Sequence, residues 1–136
     1  MDETLRAQPG LRGLVTLRRQ FAVRLTTYKR DGTPVSTAVN IAVEGDHAFF
    51  RTYAQSWKAR RLRRNPEVEI APSTFFGTST GPAMHGRARL LSGQEADHAA
   101  RLIERKHPIF QGVLVRLSHR VMHYTTLHYE VRFTEA

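Results

Sequence analysis

The sequence predicts a mainly β fold, six short antiparallel strands forming a small closed or partly open barrel with minor, short helices. Apolar residues recur with period two in one segment after another between Phe21 and Phe133. Asp31-Gly32 and Glu44-Gly45-Asp46 separate the first of these segments as tight turns. Helix signals are clear in two places, Trp57–Arg64 and the stretch after Ser92.

Residues 1–13 mix charges with Gly and Pro and read as a loose arm or a short helix, to which no function is attached. In the first strand Phe21, Val23, Leu25 and Thr27 share one face, and Ala22, Arg24, Thr26 and Tyr28 the other. The second strand sets Val35, Thr37, Val39, Ile41 and Val43 against Ser36, Ala38, Asn40 and Ala42, a small or polar face that leaves room for something to lie on it. Residues 47–53 form the third strand, in which Phe49 and Phe50 point to opposite faces and one of them must be core. Val68 and Ile70 mark a fourth strand, residues 75–81 an exposed loop rich in Gly, Ser and Thr, and residues 82–91 a fifth strand. Ser92-Gly93-Gln94-Glu95 opens a helix with Ala96, Ala99, Ala100 and Ile103 on its buried face, interrupted at Pro108. Residues 109–117 fit a helix as well as a strand. Thr125, Leu127, Tyr129, Val131 and Phe133 alternate with polar residues in the last strand.

At 136 residues the chain fits one domain, 1–136, with enough length to bury a core unaided. Twenty-one Lys and Arg against 12 Asp and Glu give a net charge of +9, which calls for an anionic partner: nucleic acid, a membrane surface or a phosphorylated small molecule. The absence of Cys excludes a disulfide framework, thiolate metal ligation and Cys nucleophiles. With no secretory h-region and no membrane-spanning apolar run, the expectation is a soluble, cytoplasmic protein.

The most informative stretch is residues 51–66, read as a strand end, a turn and a short basic helix. Ser56 is placed to cap the helix, and Asn65-Pro66 to stop it with a residue that tolerates left-handed backbone and one that cannot continue. Cations in a first helical turn face the positive end of the macrodipole at a cost of about 0.3–1 kcal/mol each. Lys58 and Arg60 nevertheless sit there, with Arg61 just behind. A bound anion reverses that sign, and free N–H groups, a Ser hydroxyl and a Lys or Arg together make a phosphate site. The alternative is a solvated basic helix from which Leu62 alone packs inward.

Other motifs fail on context. Gly77-Thr78-Ser79-Thr80-Gly81 matches a nucleophile elbow, with Asp97 and His107 following in esterase order, but a strand and not a helix comes after the Ser. His119 and His123 have helical i,i+4 spacing without the Glu of a zincin helix, so no metal site is assigned. No carboxylate pair stands out for acid–base work, and no catalytic residue is assigned. The competing class is a basic small barrel that binds nucleic acid by stacking bases on strand aromatics. Against it, the aromatics do not cluster on one strand face with the basic residues.

Taken in order, Asp31-Gly32-Thr33-Pro34-Val35-Ser36-Thr37, Phe49-Phe50-Arg51-Thr52, Ser56-Trp57-Lys58-Ala59-Arg60-Arg61-Leu62, Asn65-Pro66 and Gly86-Arg87-Ala88 resemble a known family. It is the split β-barrel flavin and deazaflavin reductases, the group that includes pyridoxamine-phosphate oxidases. The resemblance implies a six-stranded antiparallel split β-barrel, FMN-binding-like, and a homodimer with two cofactor sites at the subunit interface. It is strongest with members that use coenzyme F420, a deazaflavin with a phosphate and an oligoglutamate tail; some relatives bind FMN, and haem has been proposed for others. Carried over by position, Lys58 matches the phosphate-binding Lys, Arg60 or Arg61 a second cation, and Ser56 and Trp57 the turn around it. Arg51 and Thr52 match the strand end beside the ring, and Val39 and Asn40 the backbone along the ring edge. Many relatives carry a bulkier residue where this chain has Asn40. His85, Arg87, Tyr124 and His128 are within reach of a pocket across such a dimer. The implied activity is hydride transfer from reduced F420 to a small electron-poor substrate, with FMN as the alternative cofactor.

Overall fold

The computed structural model describes residues 9–106 and 125–134. Residues 109–117, His107, His119, His123 and Tyr124, singled out above, lie outside this range. Helix α1 (Pro9–Arg18) is followed by β1 (Val23–Tyr28), β2 (Pro34–Val39), β3 (Ile41–Glu44) and β4 (His47–Tyr53). Then come α2 (Trp57–Arg64), β5 (Glu67–Pro72), β6 (Met84–Leu90), α3 (Gly93–Lys106) and β7 (Thr126–Phe133). No helix of the described residues is long and apolar enough to cross a membrane. Between the two readings of the N-terminal segment, residues 9–13 take the helical one.

The strands make one curled antiparallel sheet in the order β2-β1-β5-β6-β7-β4-β3, the split β-barrel expected from the sequence. One expectation changes. The second strand is not a single strand: it breaks at Asn40 into β2, which pairs with β1, and β3, which pairs with β4. One extended run therefore supplies both edges of the sheet, and the six strands become seven. Phe21 also falls outside β1 and is 42% exposed, while Val23, Leu25 and Thr27 point inward as the alternation requires.

The interior is filled by Val23, Leu25, Ile41, Phe50, Val68, Ile70 and Val131, with Leu17 of α1 and Leu62 of α2 joining the same cluster. Phe50 stacks on Tyr129 with centroids 5.1 Å apart. Burying a side chain of that size stabilises the fold by about 1.5–3 kcal/mol. Phe49 faces the other way and is buried as well, because α3 covers the outer face of β7, β4 and β3 and closes a second cluster of Ala42, Phe49, Leu91, Ala99 and Ile103. Both phenylalanines are thus core, in different layers. Ser79 sits in a loop with its hydroxyl donating to the Gly81 carbonyl, and β6 rather than a helix follows, which removes the nucleophile elbow.

Gly86 has no side chain because β7 leaves no space for one. A Cβ there would stand 2.7 Å from Val131 Cγ1 and 3.0 Å from the Arg132 carbonyl oxygen. The second neighbour is backbone and cannot swing away. Gly86→Ala is therefore expected to lower stability by about 1–3 kcal/mol in urea unfolding, the usual cost of overpacking.

Candidate functional site

Helix α2 begins as the sequence predicts. Ser56 has extended backbone, and its Oγ accepts the Ala59 N–H at 3.1 Å. The same oxygen is hydrogen-bonded to Thr52 Oγ1 at 3.1 Å, so the end of β4 is tied to the start of the helix. The far end differs from expectation. Asn65 is extended (φ −141, ψ 108) and not left-handed, because the following proline excludes helical backbone at the residue before it. Its N–H still reaches the Arg61 carbonyl, and its side-chain Oδ1 accepts the Glu67 N–H as β5 begins.

The basic residues of α2 divide between two environments. Arg61 is buried, with Nε donating to Thr27 Oγ1 of β1 at 2.6 Å. Lys58, one turn earlier, is half-buried, and its pKa is lowered first by burial and then by the charge of Arg61. Among the described residues no carboxylate pairs with either. Arg60 points the other way and lies over the Trp57 ring at 4.8 Å, with Trp57 69% exposed. Arg61, not Arg60, is thus the cation beside Lys58. Leu62 is not alone in packing inward, since Ala59 and Arg61 are buried too. Two uncompensated positive charges next to one another and partly out of water raise the energy of the empty arrangement, and an anion lowers it.

The remaining candidates are spread over neighbouring surfaces. Val39 packs against the barrel core, and Asn40 donates from Nδ2 to the Phe21 carbonyl at 2.8 Å. Asn40 and Arg51 flank the Ile41–Phe50 pair, so the β2–β3 bend and the end of β4 are adjacent. Thr52 turns toward α2, whereas Arg51, its neighbour in a strand, turns to the opposite face beneath α3. There its side chain is 6% exposed, with Nη1 3.8 Å from Glu104 Oε1. His128 is the cross-strand partner of Arg51 under the same helix. His85 and Arg87 are on the outer face of β6, facing Glu69 at 3.3 Å and Glu67 at 2.6 Å.

Two groupings escaped the sequence reading. Thr27, the acceptor for Arg61, was legible only as an inward-facing residue. Glu44 accepts from two imidazoles, His47 Nε2 at 3.1 Å and His98 Nε2 at 2.8 Å, and so links the β3–β4 turn to α3. The His47 contact could have been suspected from its i,i+3 spacing; the His98 contact depends on how α3 docks.

The family model described as pyridoxamine 5′-phosphate oxidase matches residues 14–125. The chain belongs to the pyridoxamine 5′-phosphate oxidase family. No curated protein sequence matches it. Among solved structures, a protein of unknown function from Agrobacterium tumefaciens superimposes with a TM-score of 0.71 at 20% identity, covering 94% of this chain and 55% of the other. This family member thus spans about half the length of that relative. A protein described as an F420 reductase gives a TM-score of 0.56 at 19% identity, covering 89% of this chain and 92% of the other. The haem storage protein HutZ of Vibrio cholerae gives 0.65 at 13% identity, covering 96% and 92%. At these identities the structures share the pyridoxamine 5′-phosphate oxidase fold with this chain.

The buried pair beneath α3 predicts an acid-sensitive fold. The pKa of His128 is lowered from 6.5 by burial first and by Arg51 second, with Glu104 and Asp97 opposing. The unfolded chain therefore takes up this proton at a higher pH than the folded chain does. Its contribution is fully present above the ordinary imidazole range and is lost as the pH falls toward the lowered folded value. Urea unfolding across this range should show a stability slope of up to about 1.4 kcal/mol per pH unit that His128→Gln removes.

Proposed function

We propose that this chain is an oxidoreductase that holds reduced coenzyme F420 at the start of α2 and serves hydride transfer to a small electron-poor acceptor. Lys58 and Arg61 carry this reading: they are adjacent, the first half-buried and the second buried, and without a carboxylate partner among the described residues. A phosphate satisfies both. Lys58 would act as the point charge, and the Arg61 guanidinium, fixed by Thr27, as the second cation. The Thr52 and Ser56 hydroxyls stand at the same turn. The outward Arg60, Arg63 and Arg64 offer a positive approach surface to a multiply anionic tail, in keeping with the +9 net charge.

Family membership supports redox chemistry on a bound ring, and the F420 reductase among the structural neighbours supports the deazaflavin. When bound, F420 supplies the hydride from its ring carbon. The chain would contribute position and exclusion of water, with the backbone at Val39 and Asn40 along the ring edge in a homodimer. Thr52 and Ser56 fix the turn that presents Lys58, and no side-chain acid is required if solvent supplies the proton.

Calorimetric titration of F420 should show tight binding to the purified chain and a loss of about tenfold to a hundredfold in Lys58→Ala. Unchanged affinity in that variant removes the phosphate role. F420 should bind more tightly than FMN, and single-stranded oligonucleotides should bind little at physiological salt. The reverse order assigns a flavin, and tight oligonucleotide binding with a steep salt slope assigns a nucleic-acid module. Because the Lys58 pKa is lowered in the free chain, affinity should also fall on the alkaline side at a lower pH than an ordinary lysine would give. Lys58→Arg should move that loss to higher pH.

A further inference from the structure

The outer face of β2, β1, β5 and β6 is a grid whose rows are set by strand register. In one row Arg24 stands between Ala38 and Ala71. In the next, Thr26 stands between Ser36 and Glu69, and Glu69 faces His85. All of these point away from the core, since Val23, Leu25 and Thr27 occupy the inner face. The short side chains of Ala71 and Ser36 leave a depression beside Arg24, and Pro34, Ser79 and Ala83 wall it into a cavity of about 480 Å³.

The polar groups of this cavity are arranged in sequence. Arg24 lies at one end, and no carboxylate pairs with it among the described residues. Glu69 is diagonal to it across the β1–β5 register and is held by other partners: Tyr28 donates to Oε2 at 2.8 Å, and His85 Nε2 is 3.3 Å from Oε1. Burial and Glu69 together push the Tyr28 phenol up to about 12, so it remains a donor. Thr26, which neighbours both Arg24 and Glu69 in the grid, shares a hydrogen bond of 2.7 Å with Ser36 on its other side. That bond uses one of their two hydroxyl protons and leaves the other for a ligand.

The geometry points to a binding site for a small zwitterion, a molecule carrying both a carboxylate and a protonated amine, with the carboxylate on Arg24 and the amine on Glu69. A simple anion meets repulsion from Glu69, and a simple cation meets repulsion from Arg24, so either end alone is rejected. Diagonal cross-strand neighbours stand about 7–8 Å apart, which favours an amine and a carboxylate separated by several carbons over an α-amino acid. The site shares no residue with the Lys58–Arg61 pair and does not rest on the proposed cofactor.

The test is a titration of the isotopically labelled full chain, followed by amide chemical shifts, with glycine, β-alanine and 4-aminobutyrate, and with butyrate and butylamine as single-charge controls. Saturable shifts at Ser36, Ala71 and Ala83 are expected, with affinity rising along the amino-acid series and each control weaker by about tenfold or more. Arg24→Ala should weaken 4-aminobutyrate by about tenfold to a hundredfold, and Arg24→Lys should restore part of it. Glu69→Gln should erase the preference over butyrate, while Lys58→Ala should leave every response intact. The proposal fails if no shift saturates, if Arg24→Ala responds like the parent chain, or if butyrate binds as well as 4-aminobutyrate. A loss of F420 binding in Lys58→Ala alongside these failures would leave the cofactor reading standing.

Discussion

The bend at Asn40 is the constraint on which the rest of the molecule depends. Residues on its two sides continue one extended run, yet β2 pairs with β1 at one end of the sheet order and β3 with β4 at the other. A straight strand could not serve two edges. The side-chain amide of Asn40, bonded to the Phe21 carbonyl, fastens the bend to the chain just before β1. Once the run is bent, β1 and β4 have fixed relative positions. The helix that leaves β4 is then delivered over β1, where Arg61 finds Thr27. The same bend sends the polar face of β2 outward over the cavity and the polar face of β3 toward α3.

The excess positive charge is not spread evenly once the chain is folded. Carboxylates on the outer faces are taken up locally: Glu67 by Arg87, Glu95 by Arg89, Glu130 by Arg89 and Arg132. The exposed pairs among them, Glu67–Arg87 and Glu95–Arg89, contribute little to stability. Their effect is to withdraw acids from general use. What remains near the start of α2 is positive, on a helix whose first turn contains no acid and whose inward face buries a guanidinium. Composition predicts an anionic partner; the pairing of the other charges leaves the start of α2 positive.

Much of the fold was legible because its signals are local. Period-two alternation separated the inner residues of β1 and β7 from the outer ones, and Ser56 and Pro66 marked the limits of α2 within a residue. The misses share a cause. Alternation assigns a face but not a neighbour, so the division of the second strand at Asn40 required knowing that its halves have different partners. The choice between Arg60 and Arg61 required knowing which side of α2 meets β1. Asn65 was misread for a local reason, since its tolerance of left-handed backbone is overruled by the proline that follows. Glu69, Tyr28 and His85 come from three strands, and only the register brings them together.

Trp57 is the only tryptophan in the chain, and it stands mostly in water under the Arg60 guanidinium at the first residue of α2. Ultraviolet emission excited at the red edge therefore comes from a single point, next to the capped turn and one residue from Lys58. The polarity around that indole, with the Arg60 guanidinium 4.8 Å from its ring, is an optical property of the helix start alone. The chain thus carries its own fluorophore at the place where its positive charge is most concentrated.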